Sequence, residues 1–449
     1  MYPRAEGRSR GSVARQVGDS EATHLFQRDG LARGKESRFD RHFDRKAARM
    51  ANLILWWQRF LLWVSYSWYG LTLRGSRKRA ISWVVGVDEI ASMVTQIATV
   101  IPGSYSVSFQ KLHYYSNKFG YDYSIATPVG TPRHNRSRKF FGPLLFGRLA
   151  HEAQGIIYVG GTGFLISWDD GREYEMRWAK RHGLKVVCYW TGSDIRSLDR
   201  MKKLESELQR PNIATYIDIA APGLGSVDAE DSRRRLAVAA DRWADAMFSN
   251  SIDHLSYLKT PTEPFLYFLP DSRLGDLSQF DDVTRPVLVH ATTSPIIKGT
   301  QLVRAAVAKL RAEGYEFEYV ELMGVTNDVV IGQLAKSHIA LNQFYGFSTS
   351  VFGAEGLCAG TVVMMSADER IETDFAAGSN DAWVVTCHYE VYDNLKRLLD
   401  DPLQWRAIAA RGLAWAREYA TASGASPRLH QVLDAVLDGT YSPPGVTRE

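Results

Sequence analysis

From about residue 80 to about residue 420, short β-branched runs alternate with amphipathic helical windows, and glycine-bearing loops follow the runs. Few folds accept this pattern, because consecutive parallel strands need helical crossovers, which cover both faces of the sheet. SWVVGV (82–87) reads as a strand ending at Gly86, followed by a helical stretch from Glu89 to about Thr99. GIIYVGGTGF gives a strand and a glycine loop, EYEMRWAKRHG a helix stopped at Gly183, and LKVVCYW a strand that runs into TGSDIR. MFSNS closes this first body, and the stretch 260–286, with Pro261, Pro264, Pro270 and Pro286, reads as the crossing to a second.

In the second body RPVLVH is a strand and ATTSPIIKG a loop, with Thr300 the expected N-cap of TQLVRAAVAKLRAEG. YEFEYVEL, HIALNQ, TVVMM and AWVVTC supply four more strands, and two C-terminal helical windows follow. The expected class is α/β, with two Rossmann-like domains facing across a cleft. The expected organisation is a disordered basic tail over 1–50, an aromatic helix and basic cluster over 51–79, domains over 80–270 and 285–420, and a terminal helix and tail over 421–449.

Composition removes several functions. Residues 1–50 hold twelve Lys or Arg against seven Asp or Glu, a surplus of five that exceeds the net charge of +4, so the rest is close to neutral. That balance gives no argument for nucleic acid. Cys188, Cys358 and Cys387 form no CxxC pair, which points to reduced thiols, no zinc site and a cytosolic body. The first 50 residues have no apolar run of the signal-peptide kind, and Met50 is a possible alternative start. No P-loop, HExxH or GxSxG is present, and GGTGFL is only half a dinucleotide fingerprint, with Ile166 at the third glycine position. No cofactor and no metal are expected.

Loops after strands mark the ligand edge of an open α/β sheet. Lys298 lies between a strand end and a helix start, where its charge adds to backbone amides in the way a diphosphate is held; a solvated loop lysine is the other reading. Glu355 heads FGAEGLCAG, a small-residue turn before a strand, and suits a ligand offering hydroxyls, or else simply favours a helix N-terminus. Asp194, with Gly192, Ser193 and Gly161, is the polar candidate on the acceptor side, or a cap of its own loop. Gly86 lets backbone approach a phosphate, or serves a tight turn.

Residues 287–365 carry a resemblance to GT-B glycosyltransferases of the family 4 type, in particular those of bacterial capsular and surface polysaccharide synthesis. The residues concerned are Lys298-Gly299-Thr300, Gly324-Val325-Thr326, Asn342-Gln343, Tyr345-Gly346, and Glu355 with Gly360-Thr361. GIIYVGGTGFL, HGLKVVCYW and TGSDIR are similar to the first domain of the same enzymes. The resemblance implies a nucleotide-diphosphate sugar donor, a lipid-linked or glycan acceptor, retention of configuration and no metal. It implies Lys298 on the diphosphate and Glu355 on the ribose hydroxyls, with Gly299, Tyr345 and Gly346 around the donor. Pro295 stands where many members have a second diphosphate arginine, and Phe347 where many have a sugar-contacting Glu. A non-catalytic scaffold of the same fold is the alternative.

LILWWQRFLLWVSYSWYGLTL (53–73) holds four of the twelve tryptophans and one charge, Arg59, and is followed by RGSRKR. Gln58, Ser65 and Thr72 recur every seven residues. An in-plane helix at an anionic membrane surface is expected, on the inner face of the cell membrane.

Overall fold

The computed structural model describes residues 38–73, 80–109, 120–125, 131–166, 170–221 and 223–445. Residues 1–37 of the expected tail and the basic cluster 74–79 lie outside the described residues. The backbone is helical over Arg38–Thr72, starting within the stretch expected to be disordered.

Ile54–Glu449 form one compact unit built on two parallel sheets. The first holds β1 (Ile81–Val87), β2 (Tyr105–Ser108), β3 (Tyr123–Ser124), β4 (Ala153–Val159), β5 (Lys185–Tyr189), β6 (Ala246–Ser249) and β7 (Glu263–Pro264), in the order β3-β2-β1-β4-β5-β6-β7. The second holds β8 (Val287–Ala291), β9 (Glu318–Leu322), β10 (Ile339–Leu341), β11 (Val362–Met365) and β12 (Val384–Val385), in the order β12-β11-β10-β8-β9. The strand β7 falls inside the stretch expected to be only a crossing. Its two residues pair with Phe248 and Ser249, and so little chain leaves no periodicity to read. The central strands are buried on both faces, which is why VVGV and IIYV read as continuous apolar runs.

Two helix starts differ from expectation: a side chain from outside the helix caps one, and a left-handed glycine precedes the other. The helix after β1 begins at Met93 rather than near Glu89, whose carboxylate accepts from the amides of Val94 (3.1 Å) and Thr95 (3.2 Å). Thr300 is the first helical residue, not the cap; left-handed Gly299 (φ 80°) precedes it, and the Thr300 hydroxyl bonds His290 Nε2 at 2.8 Å. A short helix, Pro295–Lys298, replaces part of the expected loop. The last long helix, Ala422–Asp438, returns to the first sheet, where His430 Nε2 lies 2.6 Å from the Val100 carbonyl.

The tryptophan helix is turned inside out relative to an ordinary surface helix. Its polar stripe faces the protein: the Gln58 amide donates to the Ile166 carbonyl (3.1 Å) and accepts from Ile166 N–H (2.8 Å), while Ser65 donates to the Leu144 carbonyl (2.6 Å). Thr72, third in the stripe, is exposed and bonds only within its own helix. The aromatic face points outward, with Trp56, Trp63 and Trp68 61, 63 and 63 % exposed and Trp56 stacked on Phe60 at 5.8 Å. Among the described residues no helix is long and apolar enough to cross a membrane.

Gly86 does not sit in a loop at the strand end. It lies inside β1, opposite Tyr158 of β4, and a Cβ there would fall 2.6 Å from the Val107 carbonyl of β2. Close strand packing, not phosphate approach, requires the glycine. Gly86→Ala is expected to lower the unfolding free energy by about 2 kcal/mol through overpacking. Denaturant melts of the two proteins measure it, and an unchanged midpoint would refute the packing account.

Candidate functional site

The loops that follow β1, β5, β6 and β7 of the first sheet and β8, β9 and β10 of the second line one cavity of 540 Å³. Both sheets thus present their carboxyl edges to the same space, the edge at which parallel α/β sheets bind ligands. Of the residues singled out in the sequence, Ser193, Lys298, Gly324, Val325, Gln343 and Glu355 line it.

Lys298 closes the short helix after β8, and left-handed Gly299 sends the chain into the helix Thr300–Ala312. The buried imidazole of His290 fixes this turn to the sheet, because its Nδ1 lies 2.6 Å from the Leu341 carbonyl while Nε2 meets Thr300. The Lys298 ammonium donates to Gln343 Oε1, and the Gln343 amide is held by the Ser348 carbonyl at 2.7 Å. Gly346 is needed here indirectly, since a Cβ would fall 2.4 Å from the Gln343 side chain. Burial pushes Lys298 down to about 8, with Asp253 working against that shift and Arg196 adding to it. Tyr345 packs edge-on against Tyr216 at 5.2 Å and stacks on His388 at 5.7 Å, outside the cavity lining.

Glu355 is not at the head of its helix. The helix runs Ser350–Cys358, so Glu355 sits in its second turn, beyond reach of a helix N-terminus. What holds it is Arg273 Nη1, at 2.7 Å from Oε1, and Asn327 Nδ2, at 2.9 Å from the same oxygen. Burial raises the carboxyl above its ordinary range, and the Arg273 charge and the two hydrogen bonds pull it back. The glycines around it let the helix lie against the sheet: a Cβ on Gly353 would meet Asn342 at 2.5 Å, and one on Gly356 would meet Val363 at 3.0 Å.

On the opposite wall Asp194 takes the second of its two readings, a cap of its own loop. Its carboxylate turns back onto its own loop, accepting from the amides of Thr191 (3.1 Å), Gly192 (2.7 Å) and Ile195 (3.1 Å), and it does not line the cavity. Three amides left without acceptors would cost more than a cleft-facing carboxylate could recover, so the loop keeps it. Gly161 lies behind it, 3.3 Å from the Asp194 Cβ for a side chain built there, and left-handed Gly192 (φ 124°) leaves room for Arg196.

With Thr191, Ser193 and Arg233, the polar groups that line the cavity from this side are Arg196, Asn250, Asp253 and His254. Arg196 Nη2 pairs with Asp253 Oδ2 at 2.9 Å, and Asp253 also accepts from Phe347 N–H (2.7 Å) and the Ser348 hydroxyl (3.0 Å). Arg196 leads the favourable charges that hold Asp253 down to about 2 despite burial, which also pushes His254 down to about 3 and keeps it neutral. Arg196 stood in the quoted TGSDIR, but Asp253, Arg273 and Asn327 carry no motif and are recruited by the packing of distant segments. Among the described residues no group of three or more His, Cys, Asp or Glu could hold a metal ion.

No protein-family profile matches this chain, and no curated protein matches its sequence. Solved structures do match. Sucrose-phosphate synthase from Thermosynechococcus elongatus aligns over 80 % of this chain and 100 % of its own length at 11 % identity and TM-score 0.55. Anabaena HepE, in complex with UDP and glucose, aligns over 80 % of this chain and 100 % of its own at 10 % identity and TM-score 0.50. The fold is GT-B. At such identity the likeness extends to the fold, two parallel α/β bodies enclosing a cleft, and not to the chemistry within it.

The geometry of Asp194 separates two roles by measurement. Asp194→Ala is expected to lower stability by about 2 kcal/mol, as for a carboxylate removed from buried amides, with ligand affinity in the cavity little changed. Unchanged denaturant melts together with lost activity would restore an acceptor-side role.

Proposed function

We propose that the protein is a glycosyltransferase that binds a nucleotide-diphosphate sugar in this cavity and passes the sugar to a lipid-linked or glycan acceptor. The observation that carries the reading is a half-buried cation, Lys298, and a buried carboxylate, Glu355, on one wall of a cleft in a GT-B fold. Lys298 is assigned to the diphosphate and Glu355 to the ribose hydroxyls. As the bond between the anomeric carbon and the phosphate oxygen breaks, its electron pair goes to the phosphate, and the positive charge fixed nearby stabilises the leaving group. The acceptor oxygen bonds the anomeric carbon, and its proton leaves to the departing phosphate, so no carboxylate of the chain is needed as a base. Retention of configuration, metal independence and membership of the family 4 surface-polysaccharide group rest on the sequence resemblance; the HepE complex, with UDP and glucose, is in keeping with such a donor.

A non-catalytic scaffold is favoured by one observation. Phe347, in the place of a sugar-contacting Glu, is wholly buried in an apolar cluster with Leu198, Met201 and Ile217. Incubation with a panel of nucleotide sugars, measuring release of free nucleoside diphosphate, separates the readings. Release from one donor supports the enzyme, and tight nucleotide binding without release from any supports the scaffold.

In the active protein Lys298→Ala is expected to lower turnover about a hundredfold. Glu355→Gln should chiefly weaken donor binding, because contacts far from the broken bond act on ground and transition states alike. Lys298 loses its proton as pH rises through about 8, so kcat/KM should fall above about that pH. An arginine at 298 should remove this limb, and full activity of the alanine variant would eliminate the proposed donor site.

The same reading places the protein on the inner face of the cell membrane, held through residues 53–79. Supporting it are the outward aromatic face of the helix and its neighbour, the helix Pro132–Glu152, which meets Ser65 at Leu144 and exposes Phe140 and Phe141. Phe140, four residues before Leu144, lies on the same helical face one turn earlier. Residues 54–73 and 131–151 contain no Asp or Glu, and Arg133 and Arg136 are exposed, which suits an anionic lipid surface. The full chain should float with vesicles containing phosphatidylglycerol and be released by high salt, whereas a form lacking residues 1–79 should float less. Equal flotation of both would refute the anchor.

A further inference from the structure

Arg273 belongs to no motif and lies in the segment joining the two sheets, yet it reaches a buried carboxylate of the cavity wall. Arg273 Nη1 donates to Glu355 Oε1 at 2.7 Å, Arg273 Nη2 donates to Asn327 Oδ1 at 3.2 Å, and Asn327 Nδ2 donates to Glu355 Oε1 at 2.9 Å. The three side chains close a ring that joins the linker, the start of the helix Asn327–Leu334 and the small-residue helix Ser350–Cys358. Both bonds to the carboxylate fall on Oε1, and among the described residues nothing bonds Oε2, although Glu355 lines the cavity.

We propose that Arg273 is a positioning residue of the nucleotide end of the site: with Asn327 it fixes Glu355 through Oε1 and presents Oε2, ionised, to a vicinal diol such as that of a ribose. This rests on the assignment of Glu355 to the nucleotide. A planar guanidinium suits the role because it bonds two partners at once in a fixed fork, where an ammonium is a point charge. Without it, a carboxyl this deeply buried takes up a proton and offers a donor in place of an acceptor on Oε1 or Oε2. The other titratable groups near Glu355 are Tyr267 and Cys358, both raised by burial and by the Glu355 charge, Cys358 to about 12. Each is neutral near pH 7; Lys298, on the diphosphate, loses its proton through about 8 in wild type and variants alike, so the Glu355 effect is read as the difference between Arg273→Gln and the wild type at each pH.

The test is calorimetric titration of the full chain with UDP and with GDP near pH 6 and near pH 8, with thermal melts as the check on folding. Arg273→Gln should weaken binding about tenfold near pH 6 and by less near pH 8, because rising pH favours the carboxylate over the acid. Arg273→Lys should keep the wild-type pH course with affinity a few-fold lower, and Glu355→Gln should bind weakly at both pH values. Wild-type affinity of Arg273→Gln at both pH values, with Glu355→Gln weakened, overturns the role of Arg273 and leaves the nucleotide assignment standing. Failure of the wild type to bind either nucleotide, or undiminished binding by Glu355→Gln, overturns the nucleotide assignment and the proposal with it. Should Arg273→Gln not fold, Arg273→Lys and Asn327→Ala decide: reduced affinity in both supports the ring, and unchanged affinity in both overturns it.

Discussion

The cleft exists because the two sheets are tied to each other by an exchange of hydrogen bonds across its floor. Glu372, beyond β11, accepts from the amides of Ser251 (3.0 Å), Ile252 (3.2 Å) and Asp253 (2.7 Å) and from the Ser251 hydroxyl (2.7 Å) in the turn after β6. Asp253 answers in the other direction, accepting from Phe347 N–H and the Ser348 hydroxyl beyond β10. Each carboxylate thus takes up amides that would otherwise be buried without acceptors. Burial pushes Glu372 up to about 7 against those donors, while Asp253 is held low by Arg196. Lys298, Gln343 and Ser348 are positioned from this junction, and so is the wall that carries Glu355.

Seen from the junction, the departures from the family pattern become intelligible. Phe347 sits where a cleft-facing acid was to be looked for, but its amide serves Asp253 and its ring fills an apolar cluster, so the position is structural here. Pro295 opens the short helix that ends at Lys298, a first-turn position that suits proline. The cavity still has arginines, Arg196 and Arg233, but both come from the opposite body and share their charge with Asp253 and Glu230. The cation balance of the cleft is therefore set by both bodies together.

The tryptophan helix shows how a pattern can be read and its direction left open. Gln58, Ser65 and Thr72 were legible as a stripe every seven residues, and a polar stripe ordinarily faces water. Here Gln58 and Ser65 face inward because the backbone groups of Ile166 and Leu144 need partners, and the amide and hydroxyl supply them. The tryptophans are left outside by the same choice.

The sequence by itself determined the strands and helices of the central bodies, the parallel α/β class and the loops that carry Lys298 and Ser193. Those features follow from periodicity and from glycine, which act over a few residues. It also marked Glu355 by the small residues around it, since close helix-to-sheet packing leaves room only for Gly and Ala. Only the tertiary structure decided that Asp194 caps its own loop, that Gly86 is a packing glycine, and that Arg273, Asn327 and Asp253 belong to the cleft. For Asp194 the deciding amides are one to three residues away; in the other cases the partner is a backbone group or side chain whose approach depends on how the whole chain closes. Arg273 and Glu355 are 82 residues apart, and Glu372 and Asp253 are 119. No local pattern records a contact at that separation, because the burial that makes a carboxylate need an arginine arises only once both sheets are in place.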